Sequence, residues 1–215
     1  MVTNRAQRRA HAEDAMAHLL YLVRHGEQLD AEHGVDDGRL SARGVRQAQA
    51  IAQRLSGVHF DHAWTSPLQR ATETASIMQQ RLPAVEFEKS SLLLDCIPSG
   101  RTEHTPVGFH RFLASVRPEE AEAGAAQMHD AGEQWLRPSR GDVNELLVTH
   151  NFVIGWFVRE VMQSPEWQWM SLNQANCGLT IIRRRTGKPP QLVVHNDLGH
   201  LPVEDRTGLP LPQPY

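Results

Sequence analysis

Two arginines and two histidines stand at comparable places along the chain. Arg24 and His25 directly follow a short apolar run that is typical of a strand buried on both faces, and His150 directly follows a second such run. Arg70 lies in the first turn of a helix that follows a third strand pattern. Because the carboxyl ends of parallel strands meet in one crevice, we expect these side chains to share a site. Two fixed positive charges and two imidazoles suit a dianionic tetrahedral group, most simply a phosphoryl group.

A neutral imidazole is a competent nucleophile near neutral pH, so phosphoryl transfer through a histidine is the chemistry that this set favours. Asn151 opens the helix after His150 and would add a backbone amide and the positive end of a helix dipole. The sequence has no Walker loop and no acidic cluster for a metal ion. The arginines would therefore neutralise the transferred group, which predicts a metal-independent reaction with no cofactor and no metal ligands.

Strand and helix patterns alternate along the chain, which predicts an α/β sandwich with a largely parallel sheet. The predicted strands span residues 19–23, 62–65, 85–87, 144–149, 178–184 and 191–194. The predicted helices are one capped by Ser41 and ended by Gly57, one that begins at Ser66-Pro67 and runs over 68–82, an amphipathic one within 118–136 and one opened by Asn151.

Composition limits the classes of partner. The 215 residues hold 22 Lys and Arg against 25 Asp and Glu, so the net charge of −3 argues against a general polyanion binder such as a nucleic-acid-binding protein. No apolar run reaches the length of a membrane span, and acidic residues interrupt the N-terminal stretch where a signal peptide is apolar. We therefore expect a cytoplasmic protein with a phosphorylated substrate and no nucleic-acid or membrane partner. The segment around Trp167 and Trp169 leaves a homo-oligomer open.

Three segments resemble the signature blocks of the histidine phosphatase (phosphoglycerate mutase-like) superfamily. These are LVRHGE at 22–27, TSPLQRATETA at 65–75 and VTHN at 148–151, and they occur in the order typical of that family. The stretch from 149 to 182 and the later DLGHLP are similar to the mitochondrial phosphoglycerate-mutase-like serine/threonine-protein phosphatases and their bacterial homologues. The resemblance implies a three-layer sandwich with a mostly parallel central sheet, flanking helices and a small helical insertion.

The resemblance also implies the domain bounds and the roles of site residues. The histidine phosphatase domain would span 18–203 with an insertion at about 98–140, between an N-terminal extension (1–17) and a Pro-rich tail (204–215). His25 would be the nucleophile that becomes phosphorylated, and Arg24, Arg70 and His150 would hold the phosphoryl oxygens. Asp95 stands in LLDCIP where the family usually has a glutamate, so it is the candidate general acid, one methylene shorter than usual.

Two positions depart from the family pattern beside the phosphate. Gln28 stands where the family often has threonine, and Ala31 where it often has asparagine. We therefore expect an altered substrate pocket, with Glu27 and Gln28 as candidate lining residues. Glu27 could equally be a solvated loop carboxylate, and Asn151 could bind phosphate through its amide, cap its helix, or do both.

The function predicted from the sequence is a phosphomonoester hydrolase that works through a phosphohistidine. Its substrate would be a phosphorylated small metabolite or a phosphoserine or phosphothreonine protein. Two alternatives stay open. One is a mutase that returns the phosphoryl group to a second hydroxyl, although the ERHYG block usual in the family's mutases does not follow Asp95. The other is a catalytically silent module that recognises phosphorylated partners.

Overall fold

The computed structural model describes residues 17–30, 37–137 and 141–210. Within them lie six strands: β1 (His18–Arg24), β2 (His62–Thr65), β3 (Phe87–Lys89), β4 (Val143–Thr149), β5 (Leu179–Arg184) and β6 (Gln191–Asp197). The α-helices of the same residues are α1 (Ala42–Leu55), α2 (Gln69–Gln79), the single-turn α3 (His110–Leu113), α4 (Pro118–Trp135) and α5 (Asn151–Val161).

All six strands form one sheet in the order β3-β2-β4-β1-β5-β6. The first four strands in this order are parallel, and the C-terminal hairpin of β5 and β6 is antiparallel. The pairing of β1 with β4 aligns Arg24 with Thr149, and the amide of His25 donates to the carbonyl of Thr149 at 2.9 Å. His25 and His150 therefore leave the same edge of the sheet side by side, which confirms the predicted fold class and its largely parallel sheet.

Side chains of the central strands alternate between two cores because successive residues of a strand point to opposite faces. On one face, Leu20, Leu22 and Leu147 pack under α4 and α5. On the other, Tyr21 and Val148 pack under α1 and α2. The largest fully buried side chains on these faces include Trp135, Trp169, Phe157, Ile51 and Met78. Helices cover both faces, so the central residues of β1 (19–23) and β4 (146–148) are apolar.

The N-terminal ends of α1 and α2 are capped in different ways, one by a neighbouring residue and the other by a residue distant in sequence. The Ser41 hydroxyl accepts from the amide of Gly44 at 3.0 Å, as predicted for the cap of α1. Helix α2 begins at Gln69, three residues after Ser66, and Ser66 does not cap it. The Asp37 carboxylate accepts from the amide of Gln69 instead, at 2.9 and 3.0 Å, so a residue 32 positions away satisfies this helix end.

Two predicted elements shift along the chain. The strand expected at 85–87 lies at Phe87–Lys89, and α2 ends at Gln79 rather than at 82. Both changes fall around the turn that joins α2 to β3, where the side-chain amide of Gln79 donates to the carbonyls of Leu82 and Val85. These turn contacts accompany the end of the helix before its apolar pattern ends.

The predicted insertion consists of two different parts. Met128, Ala131 and Trp135 of α4 are fully buried against the sheet, so α4 is one of the helices of the sandwich. A cluster of aromatic rings ties the short α3 to α5, with 5.9 Å between the ring centroids of Phe112 and Phe152. Of the predicted insertion, only about residues 98–117 therefore lie outside the helices of the sandwich.

The ends of the chain lie partly outside the described residues. Residues 1–16 of the predicted extension and 211–215 of the predicted tail are among those not described. Residues 205 to 208 of the predicted tail contact Arg24 at the end of β1 and Gln47 of α1, although the proposed boundary at 203 stays a prediction. Over 17–30, 37–137 and 141–210, the helices are too short or too polar for a membrane span.

Candidate active site

His25 presents its Nε2 atom to the crevice. Its Nδ1 lies 2.7 Å from the carbonyl oxygen of Gly26, so Nδ1 carries the hydrogen and donates it. Arg70 Nε donates to Nε2 at 3.1 Å, which requires a lone pair on that atom. The side chain is 6% exposed. The nucleophile predicted from the sequence therefore has a defined tautomer with the nucleophilic lone pair on Nε2.

Glycines beside His25 allow helix α1 to approach the catalytic turn closely. A Cβ on Gly26 would lie 2.6 Å from the carbonyl oxygen of Gly44, and a Cβ on Gly44 would lie 2.2 Å from the carbonyl oxygen of Glu27. The Thr74 hydroxyl accepts from the amide of Gly26 at 3.0 Å. This backbone packing holds the turn that carries His25.

Arg70 is the hub of the site. Besides the bond to His25, its Nη2 donates to Nδ1 of His150 at 3.2 Å and lies 3.3 Å from a carboxylate oxygen of Asp95. Its Nη1 lies 3.3 Å from the carboxylate of Asp37. The planar fork of a guanidinium can serve several acceptors at once. One side chain thus joins the predicted nucleophile, the second histidine and the predicted general acid.

His150 has the opposite tautomer to His25. Arginine only donates, so Nδ1 of His150 accepts from Arg70, and Nε2 carries the hydrogen that it donates to the Ser66 hydroxyl at 2.8 Å. Both His150 and Ser66 are fully buried. The rings of His25 and His150 are 5.1 Å apart between centroids, so the two histidines flank one small space.

Asp95 lies at the mouth of this space. One of its carboxylate oxygens is 3.3 Å from Arg70 and 3.9 Å from His150. The segment before it is held from two sides, because the Thr149 hydroxyl donates to the carbonyl of Leu93 and the Gln127 amide donates to the carbonyl of Leu94, both at 2.8 Å.

Arg24 completes the positive wall. Its Nη1 donates to the carbonyls of Gln174 at 2.6 Å and Gly208 at 2.8 Å. Its buried Nε has no hydrogen-bond partner within 17–30, 37–137 and 141–210. Burial lowers the pKa of Arg24 to about 10, so the guanidinium stays charged at neutral pH. An Nε–H that has no partner in this part of the chain is a donor that an anion can use.

The electrostatics suit nucleophilic and acid roles. Burial, and then the charge of Arg24, lower the pKa of His25 well below 6.5. Burial, and then the neighbouring His25, do the same for the pKa of His150. Burial raises the pKa of the Asp95 carboxyl above 3.8, against the opposing pull of Arg70 and Arg24. The histidines are thus neutral near pH 7, and Asp95 keeps its proton to a higher pH than an ordinary aspartate.

The structure gives two predicted residues other contacts. The Glu27 carboxylate accepts from Ser41 at 2.7 Å and from Arg43 at 3.1 Å, so it stabilises the start of α1, and its predicted place in the substrate pocket stays a prediction. The Asn151 side chain bonds residues 173 and 174, at 3.0 and 2.7 Å, and its backbone amide opens α5. Phosphate binding by that amide stays a prediction.

The rest of the predicted substrate pocket is described only in part. Gln28 is buried and pairs with Leu40 in an isolated bridge, which leaves its predicted place in the pocket untested. Ala31 lies outside the described residues.

Asp37 and Ser66 contact the candidate site and were not among the residues predicted for it. Asp37 contacts both the first amide of α2 and the guanidinium of Arg70. Ser66 sets the tautomer of His150, although the sequence suggested only a helix cap. Ser66 directly follows β2, and that position at the carboxyl edge of the sheet was a usable signal. Asp37 lies beyond a loop that has no regular pattern, so the sequence contained no comparable signal for it.

Other candidate reactive groups lie apart from this chemistry. Burial raises the pKa of the Cys96 thiol to about 12, so it is not a thiolate at neutral pH. His59 is strongly exposed before β2, 4.0 Å from Asp61. In the described part of the chain, no three His, Cys, Asp or Glu side chains form a group that could hold a metal ion.

A curated relative and two solved structures resemble this chain. The mitochondrial serine/threonine-protein phosphatase Pgam5 of Caenorhabditis elegans is 32% identical over 189 residues, which are 85% of this chain and 64% of that protein. The chain thus spans less than two thirds of that relative. The alpha-ribazole phosphatase of Shigella flexneri superimposes with a TM-score of 0.64 at 20% identity, covering 83% of this chain and 96% of that chain. For the phosphoglycerate mutase of Bacillus anthracis the TM-score is 0.65 at 18% identity, with 87% and 96% covered.

The two structural likenesses show the fold, and a match to a family model shows the family. The model described as histidine phosphatase superfamily (branch 1) matches residues 20–96 and 99–198. These ranges contain both histidines, both arginines and Asp95. The chain belongs to the histidine phosphatase superfamily, in its branch 1.

Proposed function

We propose that this chain hydrolyses phosphate monoesters through a phosphohistidine formed on Nε2 of His25. The observation that carries the proposal is the hydrogen bonding of His25. Its Nδ1 hydrogen is bound by the Gly26 carbonyl at 2.7 Å, and its Nε2 lone pair faces the guanidinium of Arg70 at 3.1 Å. A lone pair beside a fixed positive charge is what an anionic phosphoryl group requires in order to be attacked.

In the first step, Nε2 of His25 attacks phosphorus while the bond from phosphorus to the ester oxygen breaks. Asp95 gives its proton to the departing oxygen, which leaves as an alcohol. Arg24, Arg70 and His150 hold the equatorial oxygens. In the second step, a water oxygen attacks phosphorus, the P–N bond breaks and Asp95 takes a proton from the water. Inorganic phosphate leaves, and His25 and Asp95 return to their first states.

A cavity beside Asp95 supports a leaving group larger than a simple alcohol. A groove of about 360 Å³ begins at Asp95 and runs between Ile97 and the first turns of α4, where Arg117 and Glu120 form part of its wall. A leaving group whose oxygen contacts Asp95 has room to extend along it. We propose a phosphorylated small metabolite or a phosphoserine or phosphothreonine protein as the substrate. The name of the C. elegans relative, a serine/threonine-protein phosphatase, supports the second class.

The proposal is tested with p-nitrophenyl phosphate in the presence of EDTA. We expect the intact chain to turn over, and the His25→Ala variant to lose activity by at least about 10³-fold. The matched control is His59→Ala, which removes a strongly exposed histidine at the far end of β2 and should keep full activity. Rapid quenching at alkaline pH should trap a chain that carries the phosphoryl group. The His25→Ala variant should not carry it.

Other outcomes point to the alternatives. Full activity in His25→Ala, or activity that EDTA abolishes, contradicts the proposal. Transfer of the phosphoryl group to a second hydroxyl of the product, with little release of phosphate, indicates a mutase. Binding of phosphoamino acids without any turnover indicates a recognition module. For an active chain, a panel of phosphopeptides, sugar phosphates and nucleotides distinguishes the two substrate classes by kcat/KM.

A further inference from the structure

A segment near the C-terminal end of the described residues contacts the phosphate site from behind. Arg24 Nη1 donates to the carbonyl oxygen of Gly208 at 2.8 Å, across 184 positions of sequence. The same Nη1 donates to the carbonyl of Gln174 at 2.6 Å. An Nη atom carries two hydrogens, so two carbonyls use both of them. The C-terminal segment thus supplies half of the acceptors that hold this end of Arg24.

Residues 205–208, here called the C-terminal strap, are themselves fixed by fully buried Gln47. The Gln47 side-chain amide donates to the carbonyl of Asp205 at 2.6 Å and to the hydroxyl of Thr207 at 2.9 Å. Its oxygen accepts from the amide of Glu27 at 2.8 Å. One buried side chain therefore joins the strap to the residue two positions after His25.

Asn176 forms a second connection between the strap and the catalytic turn. The amide of Asn176 donates to the carbonyl of Thr207 at 2.9 Å, and its side chain accepts from the Thr207 hydroxyl at 3.2 Å. The same side chain donates to the carbonyl of His25 at 3.0 Å. The strap is thus bonded directly to Arg24, and through Asn176 and Gln47 to the carbonyl of His25 and the amide of Glu27.

We propose that the C-terminal strap positions Arg24 for phosphate binding, with Gly208 and Thr207 as its positioning residues. This inference rests on the proposed function, in which Arg24 holds a phosphoryl oxygen. The two carbonyls hold Nη1 away from the crevice and leave Nε–H and Nη2 as the donors for the anion. A guanidinium fixed before the substrate arrives loses little conformational freedom on binding, so it binds the anion more tightly than a mobile one.

Substitution of Gly208 by alanine tests this role directly. It has a φ of +89°, and a Cβ there would lie 2.7 Å from Nη1 of Arg24 and 2.4 Å from the side-chain oxygen of Asn176. Both atoms are ends of side chains, so alanine at 208 would displace Arg24 and Asn176 rather than the backbone of the core. Gly187 is the matched control, because its φ is +72° and its Cβ would meet no atom within 4 Å.

The experiment compares the intact chain with Gly208→Ala and Gly187→Ala. Three quantities are measured: the Kd of inorganic phosphate by calorimetry, kcat and KM on p-nitrophenyl phosphate, and the thermal unfolding midpoint. Both variants carry the strain of alanine at positive φ, and Gly208→Ala also displaces Arg24 and Asn176, so its midpoint should fall at least as far as that of Gly187→Ala. We expect Gly208→Ala to raise the Kd and KM by about tenfold, and Gly187→Ala to leave both unchanged.

Thr207→Val is a second variant in case Gly208→Ala does not fold. It keeps the backbone of the strap but removes the hydroxyl that bonds Gln47 and Asn176, and it should raise the Kd in the same direction by a smaller factor. Unchanged phosphate binding in the folded variants overturns the inference while the proposed function stands. A chain that binds phosphate without turnover overturns the proposed function, and the Kd values still decide the role of the strap. A chain that neither binds phosphate nor turns over p-nitrophenyl phosphate overturns both.

Discussion

Arg70 Nε lies 3.1 Å from Nε2 of His25, so the guanidinium occupies the lone pair that attacks phosphorus in the proposed mechanism. The other end of the same group contacts His150 at 3.2 Å and Asp95 at 3.3 Å. An arriving phosphoryl group therefore has to take over the Arg70 donors before His25 can attack. Without substrate, the Arg70 donors bond His25, His150 and Asp95 and so preorganise the site. When substrate binds, the same donors bond the oxygens of the transferred group.

Lysine cannot replace Arg70 in this role. An ammonium is a point charge, and it cannot reach His25, His150 and Asp95 together as the planar fork does. We expect Arg70→Lys to lower kcat/KM on p-nitrophenyl phosphate by about 10²- to 10³-fold, with little change in the unfolding midpoint. Arg81→Lys, at an exposed arginine that bonds Gln53, is the control and should retain full activity. A loss of less than about threefold in Arg70→Lys would contradict the role of the fork.

The pH profile follows from the opposite shifts of the predicted nucleophile and acid. The pKa of His25 lies well below 6.5, so the nucleophile is deprotonated and active on the alkaline side of a low pKa. The pKa of Asp95 lies above 3.8, and the acid works only while it holds its proton. As pH increases, activity should rise with the loss of the His25 proton, at a pH well below 6.5, and fall with the loss of the Asp95 proton, at a pH above 3.8. A kcat/KM profile on a substrate with a poor leaving group checks this.

Variants of Asp95 identify the group behind the falling limb. Asp95→Asn should lower kcat/KM by about 10²- to 10⁴-fold and remove that limb, since an amide has no proton to lose in this range. Asp95→Glu keeps a carboxyl in the segment that Gln127 and Thr149 hold, so it should keep both the activity and the limb. A falling limb that persists in Asp95→Asn would assign the acid to another group.

Binding of a dianion should add a proton to His150. In the structure its Nδ1 accepts from Arg70, and its pKa lies well below 6.5, so it is neutral near pH 7. Burial is the first cause of this low pKa, and the positive charges of Arg70 and Arg24 add to it. A dianion between His150 and the arginines offsets these charges, and Nδ1 can then donate to an anion oxygen. We expect uptake of up to about one proton per sulfate bound at pH 7. Calorimetry in two buffers of different ionisation enthalpy measures it.

Sulfate is the appropriate probe because its own charge is constant over this pH range. His150→Gln should bind sulfate more weakly and without proton uptake, whereas His25→Gln should retain the uptake. The reverse pattern would place the proton on His25 and would contradict the assignment to His150.

Asp37 should weaken anion binding while it stabilises α2. Its carboxylate accepts from the amide of Gln69 at 2.9 Å and also contacts Arg70 at 3.3 Å, where an arriving anion needs the same guanidinium. Asp37→Asn keeps an oxygen for the helix amide but removes the charge. It should therefore tighten phosphate binding severalfold and change the free energy of unfolding by less than about 0.5 kcal/mol.

Asp37→Ala is the matched comparison, since it also removes the oxygen. It should lower the free energy of unfolding by about 1 kcal/mol, measured by denaturant titration. Equal stability of the two variants would show that Asp37 does not cap α2, and unchanged phosphate affinity in Asp37→Asn would show that its charge does not reach the site.

The sequence by itself determined which groups meet. Arg24, His25 and His150 each follow an apolar strand, and parallel strands place their carboxyl ends along one edge of the sheet. The helix patterns of α1, α4 and α5 were equally readable, because their apolar residues recur with the period of a helix. Local signals of this kind lie within a few residues of the element that they predict, so the amino-acid sequence alone is sufficient to identify that element.

The tertiary structure alone decided how these groups are held. The tautomers of His25 and His150 depend on Gly26, Arg70 and Ser66, and no local pattern assigns a hydrogen to one ring nitrogen. The cap of α2 by Asp37 and the contact of Gly208 with Arg24 join residues 32 and 184 positions apart through irregular segments. Such contacts depend on where a loop crosses the finished sheet, because its backbone and side chains satisfy donors that exist only once the sheet has formed.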